Sequence, residues 1–187
     1  MEINEFWDLI ERSRAVTSDL QARTVWLEER LAEGSVDDVL DFSMFKHQLD
    51  LRTFTWSLWG ATSVMANGFY SDASFDYFRE WLIGLGRDVY ERVVDDPDSL
   101  ADLAEVQELA AKSGTVIPDI PEWEDLVMVP YNAYEAITGA DDVDAEDALD
   151  QYNELWGEPR GDGWDFRDKE ETRRRLPRLY ALFNENS

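Results

Sequence analysis

The chain has 187 residues, 44% hydrophobic and 13% aromatic, which is enough for one domain with a packed core and argues against disorder over most of its length. Its 42 acidic residues outweigh 17 basic ones, giving a formal charge of -25, a balance that repels nucleic-acid backbones and anionic membranes alike. With no cysteine and a single histidine, His47, disulfides, thiolate metal sites, a cysteine nucleophile and multi-histidine metal centres are excluded.

The opening MEINEFWDLIERSR has neither a basic leader nor an apolar segment, so it does not read as a signal peptide. No apolar run approaches the roughly 18 residues of a membrane span, and a cytoplasmic protein without membrane contact is expected. Asn4 is placed to cap a first helix, with Phe6, Leu9 and Ile10 on its apolar stripe. Thr17 or Ser18 caps a second, in which Leu20, Thr24, Leu27 and Leu31 recur at helical spacing as far as Gly34. Ser35 and Asp38 form a capping pair for a third helix, running from Val36 towards Trp56.

Asn67-Gly68 marks a turn, and Ser71 or Ser74 caps the next helix. Phe75, Phe78, Leu82, Leu85 and Val89 share one face of it, with Gly84 and Gly86 predicting a bend or a close contact. Asp96-Pro97 starts another helix, striped by Leu100, Leu103, Val106, Leu109 and Ala110. SGTVIPDIPEW, residues 113–123, reads as an irregular linker. Helix resumes from Leu126 to Ile137, kinked or broken at Pro130 and closed at Gly139. Residues 145–156 read as helix and EPRGDGWDF as loop. A last helical segment carries Arg173, Arg174 and Arg175, then Leu176-Pro177 and LYALF. Only TVIP and LVMV offer themselves as strands. The prediction is an all-α single domain over residues 1–187, a bundle of about six to eight helices with an aromatic core.

The charge is unevenly placed. Residues 91–158 hold 20 acidic residues against two basic ones, Arg92 and Lys112. Such a face either solubilises the protein, meets a basic protein partner or mimics nucleic acid. The Arg173–Arg175 run with Arg178 is the one basic cluster, expected to pair with the acidic segment. By contrast, residues 56–86 are nearly neutral and crowded with rings.

Within that neutral passage, Trp56 and Trp59 are three apart and share a helix face. With Phe75, Phe78 and Trp81 they either fill the core or line an aromatic pocket for a flat or cationic ligand. Asp72, Asp76 and Glu80 fall at intervals of four. They would hold a hard cation or act as acid and base, or else cap the helix and face water. Arg79 and Arg87 either clamp an anion or pair internally. His47 has no nucleophile partner in sequence. No phosphate loop, dinucleotide turn or zinc signature is present, so no cofactor, metal ligand or catalytic residue is assigned.

The candidate ligand-binding residues are therefore Trp56, Trp59, Asn67, Asp72, Asp76 and Arg79. Two functions are consistent with this pattern, the first favoured by the lack of a catalytic signature and the concentrated acidic surface, the second its alternative. One is a non-enzymatic interaction or regulatory module presenting its acidic surface to a basic protein partner. The other is a small-molecule- or metal-binding protein, or an enzyme, with its site at residues 67–79. The second requires a pocket of at least roughly 300 Å³.

Six pieces occur in order: FWDLIE at 6–11, WSLWGA at 56–61, FDYFREWLIGLGRDVYE at 75–91, DPDSLADL at 96–103, WDFRDKEE at 164–171 and RLPRLYALF at 175–183. Together they resemble a bacterial family, domain-of-unknown-function family 4240. The resemblance implies no assigned enzymatic reaction. Some relatives join this domain to a WGR domain, which these residues do not contain. Relatives read Gly-Gly-Cys-Ser-Asp-Asp ahead of the Phe-x-Tyr-Phe-Arg segment. Here the passage is Gly68-Phe69-Tyr70-Ser71-Asp72-Ala73, without the thiol or the second carboxylate.

Overall fold

A computed structural model of the chain describes residues 1–68, 71–112, 119–149 and 157–184. Among these residues are eleven α-helices and two 3₁₀ helices, and the one β feature is an isolated bridge between Thr55 and Arg160. The all-α expectation holds. The helix count exceeds six to eight because the chain breaks where continuous helix was expected, as at Phe54-Thr55 and Leu176-Pro177. No helix among the described residues is long and apolar enough to cross a membrane. Two compact units emerge, each drawing on three separate stretches of chain.

The first unit comprises Met1–Leu51, Glu80–Arg87 and the described part of 123–156. It holds α1 (Ile3–Val16), α2 (Leu20–Ala32), most of α3 (Val36–Thr53), α8 (Val129–Thr138) and α9 (Asp142–Leu149). Helix α2 packs on α1 and on α8, and α8 on α9. Phe6 anchors the aromatic part of this core, with Phe42 at 4.7 Å and Trp7 edge-on at 5.4 Å between ring centres.

Three local expectations change here. Helix α1 begins before Asn4, because Glu5 reaches back to accept the Glu2 N–H at 2.7 Å. Asn4 accepts from Arg87 instead, at 2.9 Å. Asp19, rather than Thr17 or Ser18, caps α2 by accepting from Ala22 N–H at 2.7 Å. Of the expected kink or break at Pro130, the break occurs: the 3₁₀ turn Glu124–Val127 ends and Pro130 lies in the first turn of α8, where no partner is required for the N–H it lacks. LVMV falls in the 3₁₀ turn Glu124–Val127 and the start of α8. The expected Ser35–Asp38 pair is present, each side chain accepting the other's backbone N–H, at 3.1 and 3.2 Å.

Two largely buried cations organise the unit. Arg23 donates to the Gly84 carbonyl at 2.8 Å and to Ser13 Oγ at 3.1 Å, and lies over the Trp123 ring at 4.4 Å. Burial, with repulsion from Arg14, pulls its pKa down to about 10, so it stays charged at neutral pH. Lys46 donates to Asp50 at 3.1 Å and pairs with Glu80. Burial works against the Lys46 charge, but these two carboxylates outweigh it and hold the ammonium above the usual lysine range.

The second unit comprises Arg52–Arg79, Asp88–Glu122 and residues 157–184. It holds α4 (Trp56–Met65), the first part of α5 (Asp72–Gly84), nearly all of α6 (Arg87–Asp95) and the 3₁₀ turn Pro97–Asp102. α7 (Ala104–Lys112), α10 (Lys169–Arg175) and α11 (Pro177–Asn184) complete it. Helix α11 packs on α4, α7, α10 and the 3₁₀ turn. Thr55 caps α4 by accepting from Leu58 N–H at 3.1 Å, which separates it from α3. Asp96-Pro97 opens the 3₁₀ turn rather than an α-helix.

Asp98, buried in that turn, accepts the backbone N–H groups of Arg178 and Leu179 at 3.0 and 2.9 Å. It thus caps a helix 80 residues downstream. The Arg178 side chain spans Asp96, Asp98 and Asp102 at 2.7–3.2 Å, realising the expected pairing with the acidic segment. Arg174 and Arg175 pair locally with Glu171 instead, and hold its carboxyl at about 2. The linker residues 113–118 and the helix expected over 150–156 lie outside the described residues.

Candidate functional site

A cavity of about 630 Å³ opens within the second unit. One wall is α4, the turn after it and the start of α5; the other is the 164–169 loop with α10 and α11. The first wall follows from local sequence. Asn67 and Gly68 take the left-handed conformation, at φ 52° and 77°, and stop α4. Asparagine tolerates that region better than most residues and glycine does so freely. Ser71 then accepts the Ser74 N–H at 3.1 Å and starts α5. Trp59 on α4 stacks on Phe75 of α5, 4.6 Å apart and 22° from parallel, so the rings of the two helices do meet.

The second wall is fastened by Arg160. Its N–H donates to the Phe54 carbonyl and its own carbonyl accepts from Trp56 N–H, both at 3.0 Å. Its guanidinium donates to the Arg52 carbonyl at 2.7 Å. Gly163 passes beneath Trp56, where a Cβ would stand 3.1 Å from the indole. Trp164 then meets Gly60, and its Nε1 donates to Thr172 Oγ1 at 3.1 Å. The Arg175 guanidinium covers the indole at 4.7 Å and Phe166 meets it edge-on at 4.8 Å. Asp165 Oδ1 accepts the Arg167 N–H at 3.0 Å and so turns the chain. Arg167 and Lys169 come next on the cavity wall, joined by Tyr180 and Asn184 of α11.

Of the six candidate residues, Trp59, Asn67 and Asp72 line the cavity. Trp56 stands behind the wall, its ring 6.1 Å from both Trp59 and Phe166. Asp76 pairs with Arg79. Arg79 is buried, its guanidinium 5.5 Å from the Phe54 ring and 5.1 Å from the Phe75 ring, and neither residue is on the wall. Glu80 belongs to the first unit, where it meets Lys46. The three carboxylates at intervals of four therefore have separate surroundings. No group of three His, Asp or Glu residues among the described ones is placed to hold a metal ion.

Trp164, Phe166, Arg167, Lys169, Tyr180 and Asn184 are not among the six candidates. The available signal is two rings, Trp164 and Phe166, in a Gly- and Asp-rich loop, since exposed-looking aromatics in loops need a partner surface. Phe69 and Tyr70, between Gly68 and Ser71, lie outside the described residues.

A family model described as "Protein of unknown function (DUF4240)" matches residues 1–136. The chain belongs to this family. The DUF4240 match includes Trp59, Asn67 and Asp72, while the wall from Trp164 to Asn184 comes after it in the chain. No curated protein and no solved structure matches the chain.

Proposed function

We propose that this DUF4240 protein binds a small molecule in the cavity of its second unit. The observation that supports this reading is the cavity itself: about 630 Å³, against roughly 300–1,000 Å³ for small-molecule sites. Its walls combine aromatic residues with a few polar groups, Ser63, Asn67 and Asn184 among them. Apolar contact supplies affinity in such sites and the polar groups fix orientation.

The test is a thermal-shift screen of flat metabolites, because a ligand selective for the native state raises the melting temperature. Each compound is run in parallel on Val64→Trp, which places a large ring in the cavity. Hits are expected to stabilise the wild-type protein and to lose their effect in a folded Val64→Trp. If no compound stabilises the protein, or the variant responds equally, the reading fails.

The acidic surface favours a second, compatible reading as an interaction module for a basic protein. Asp144, Glu146 and Asp147 of α9 are exposed, and no basic residue occurs between Lys112 and Arg160. A partner captured from lysate at low salt should be released at high salt. Capture of nothing, or capture indifferent to salt, removes this reading.

A further inference from the structure

The cavity wall carries two cations with no partner among the described residues. In a chain of 42 acidic and 17 basic residues, most basic side chains are engaged. Arg52 grips Glu91, Arg174 and Arg175 hold Glu171, and Arg178 spans three aspartates. Arg23 and Arg160 are directed at backbone carbonyls. The side chains of Arg167 and Lys169, by contrast, make no hydrogen bond or ion pair with any described residue, yet both line the cavity. They stand beside Trp164 and Phe166, whose rings are locked by Thr172, Arg175 and each other. Both side chains are exposed, so neither is held in an internal ion pair and each is free to turn towards a ligand in the cavity.

Resting on the cavity reading, we propose that the ligand is a flat ring bearing an oxyanion, a carboxylate or a phosphate. The ring would pack against the parts of Trp59 and Trp164 that line the cavity, and the oxyanion would be bound by Arg167 and Lys169. Guanidinium forks suit both oxyanions because two N–H groups meet two oxygens at once. The rest of the protein, at -25, repels anions at long range, so selection for one has to come from cations inside the site. Asp72 and Asp165 on the same cavity set the opposing prediction, preference for a cation.

Matched probes decide the point by calorimetric titration: indole-3-acetate, its neutral amide and tryptamine in one series, adenosine monophosphate against adenosine in the other. At least one oxyanion-bearing probe is expected to bind about 10-fold more tightly than its neutral counterpart, the scale of a charge-assisted hydrogen bond. The Arg167→Gln/Lys169→Gln variant should lose that preference, the ratio of charged-probe to neutral-probe affinity falling to about one. Which anion gains distinguishes a carboxylate from a phosphate ligand. Equal binding of charged and neutral probes, a preference for tryptamine, or an undiminished preference in the double variant overturns this inference and leaves the cavity reading standing. Failure of every probe, neutral ones included, also overturns this inference, while the cavity reading is decided by the thermal-shift screen with Val64→Trp.

Discussion

The Cζ2–Cη2 edge of the Trp164 indole meets Gly60 so closely that a Cβ at position 60 would overlap those two atoms. Gly60 is in the interior of α4, where alanine would ordinarily gain up to about 1 kcal/mol over glycine. Overlap with a ring held on three sides costs about 1–3 kcal/mol, so the packing penalty wins. Gly60→Ala should lower the melting temperature by several degrees. In a Trp164→Leu background the same change should be neutral or stabilising. Thermal melts of the four proteins in a double-mutant cycle measure the coupling, and strictly additive effects would show that the contact is absent.

Gly84 meets a second indole in the first unit. A Cβ there would stand 2.6 Å from Trp123, which is buried, donates its Nε1 hydrogen to Thr24 Oγ1 at 2.9 Å and lies under Arg23. The ring has no free direction to move. Gly84→Ala should therefore cost about 1–3 kcal/mol. Gly157, with nothing within 4 Å of its Cβ position, should tolerate alanine within about 0.5 kcal/mol. Urea unfolding of both variants makes the comparison, and equal midpoints would refute it.

Asp98 caps α11 from a distance, so its loss should exceed the loss of the cation it binds. Asp98→Ala leaves two backbone donors of α11 without their acceptor, at about 1–3 kcal/mol for each buried group left unsatisfied. Arg178→Ala removes a half-exposed partner whose ion pairs are worth about 0–1 kcal/mol apiece. Denaturant midpoints should rank wild type above Arg178→Ala and that above Asp98→Ala. The reverse order would assign the stabilisation to the ion pairs rather than the cap.

Lys46 answers for two buried carboxylates. Its folded-state pKa is raised, so its contribution is fully present below the unfolded lysine value and is lost only as the pH climbs through the higher folded value. At neutral pH, Lys46→Met leaves Asp50 and Glu80 without their cation, a loss of about 3–5 kcal/mol for a broken buried pair. The wild-type contribution fades only as Lys46 itself begins to lose its proton, so the deficit of the variant should be constant below the ordinary lysine range and shrink as the pH rises from about 10 to about 12. Unfolding free energies of both proteins across that range test it; a deficit independent of pH would point to lost packing instead.

Much of the fold is legible in the chain because its signals are local. The Ser35–Asp38 cap, the Asn67-Gly68 turn and the Phe75–Phe78–Leu82 stripe each depend on residues within about four positions of one another. The chain alone therefore determined an all-helical, strongly acidic protein with rings concentrated in the middle, and it located half of the cavity wall at Trp59, Asn67 and Asp72. Even so, helix starts moved by a few residues where a neighbouring Glu or Asp outcompeted the expected cap, as Glu5 and Asp19 did.

The tertiary structure alone decided which distant side chains answer these local ones. Trp164 reaches Gly60 from the far end of the chain, Asp98 serves an N-terminus 80 residues away, and Glu80 faces Lys46 while its helix neighbour Asp76 faces Arg79. Periodicity sets the face on which a side chain sits but not what is folded against that face. That choice belongs to the packing of the whole unit, in which a missing Cβ at one position admits a ring from another and leaves two cations beside an open space.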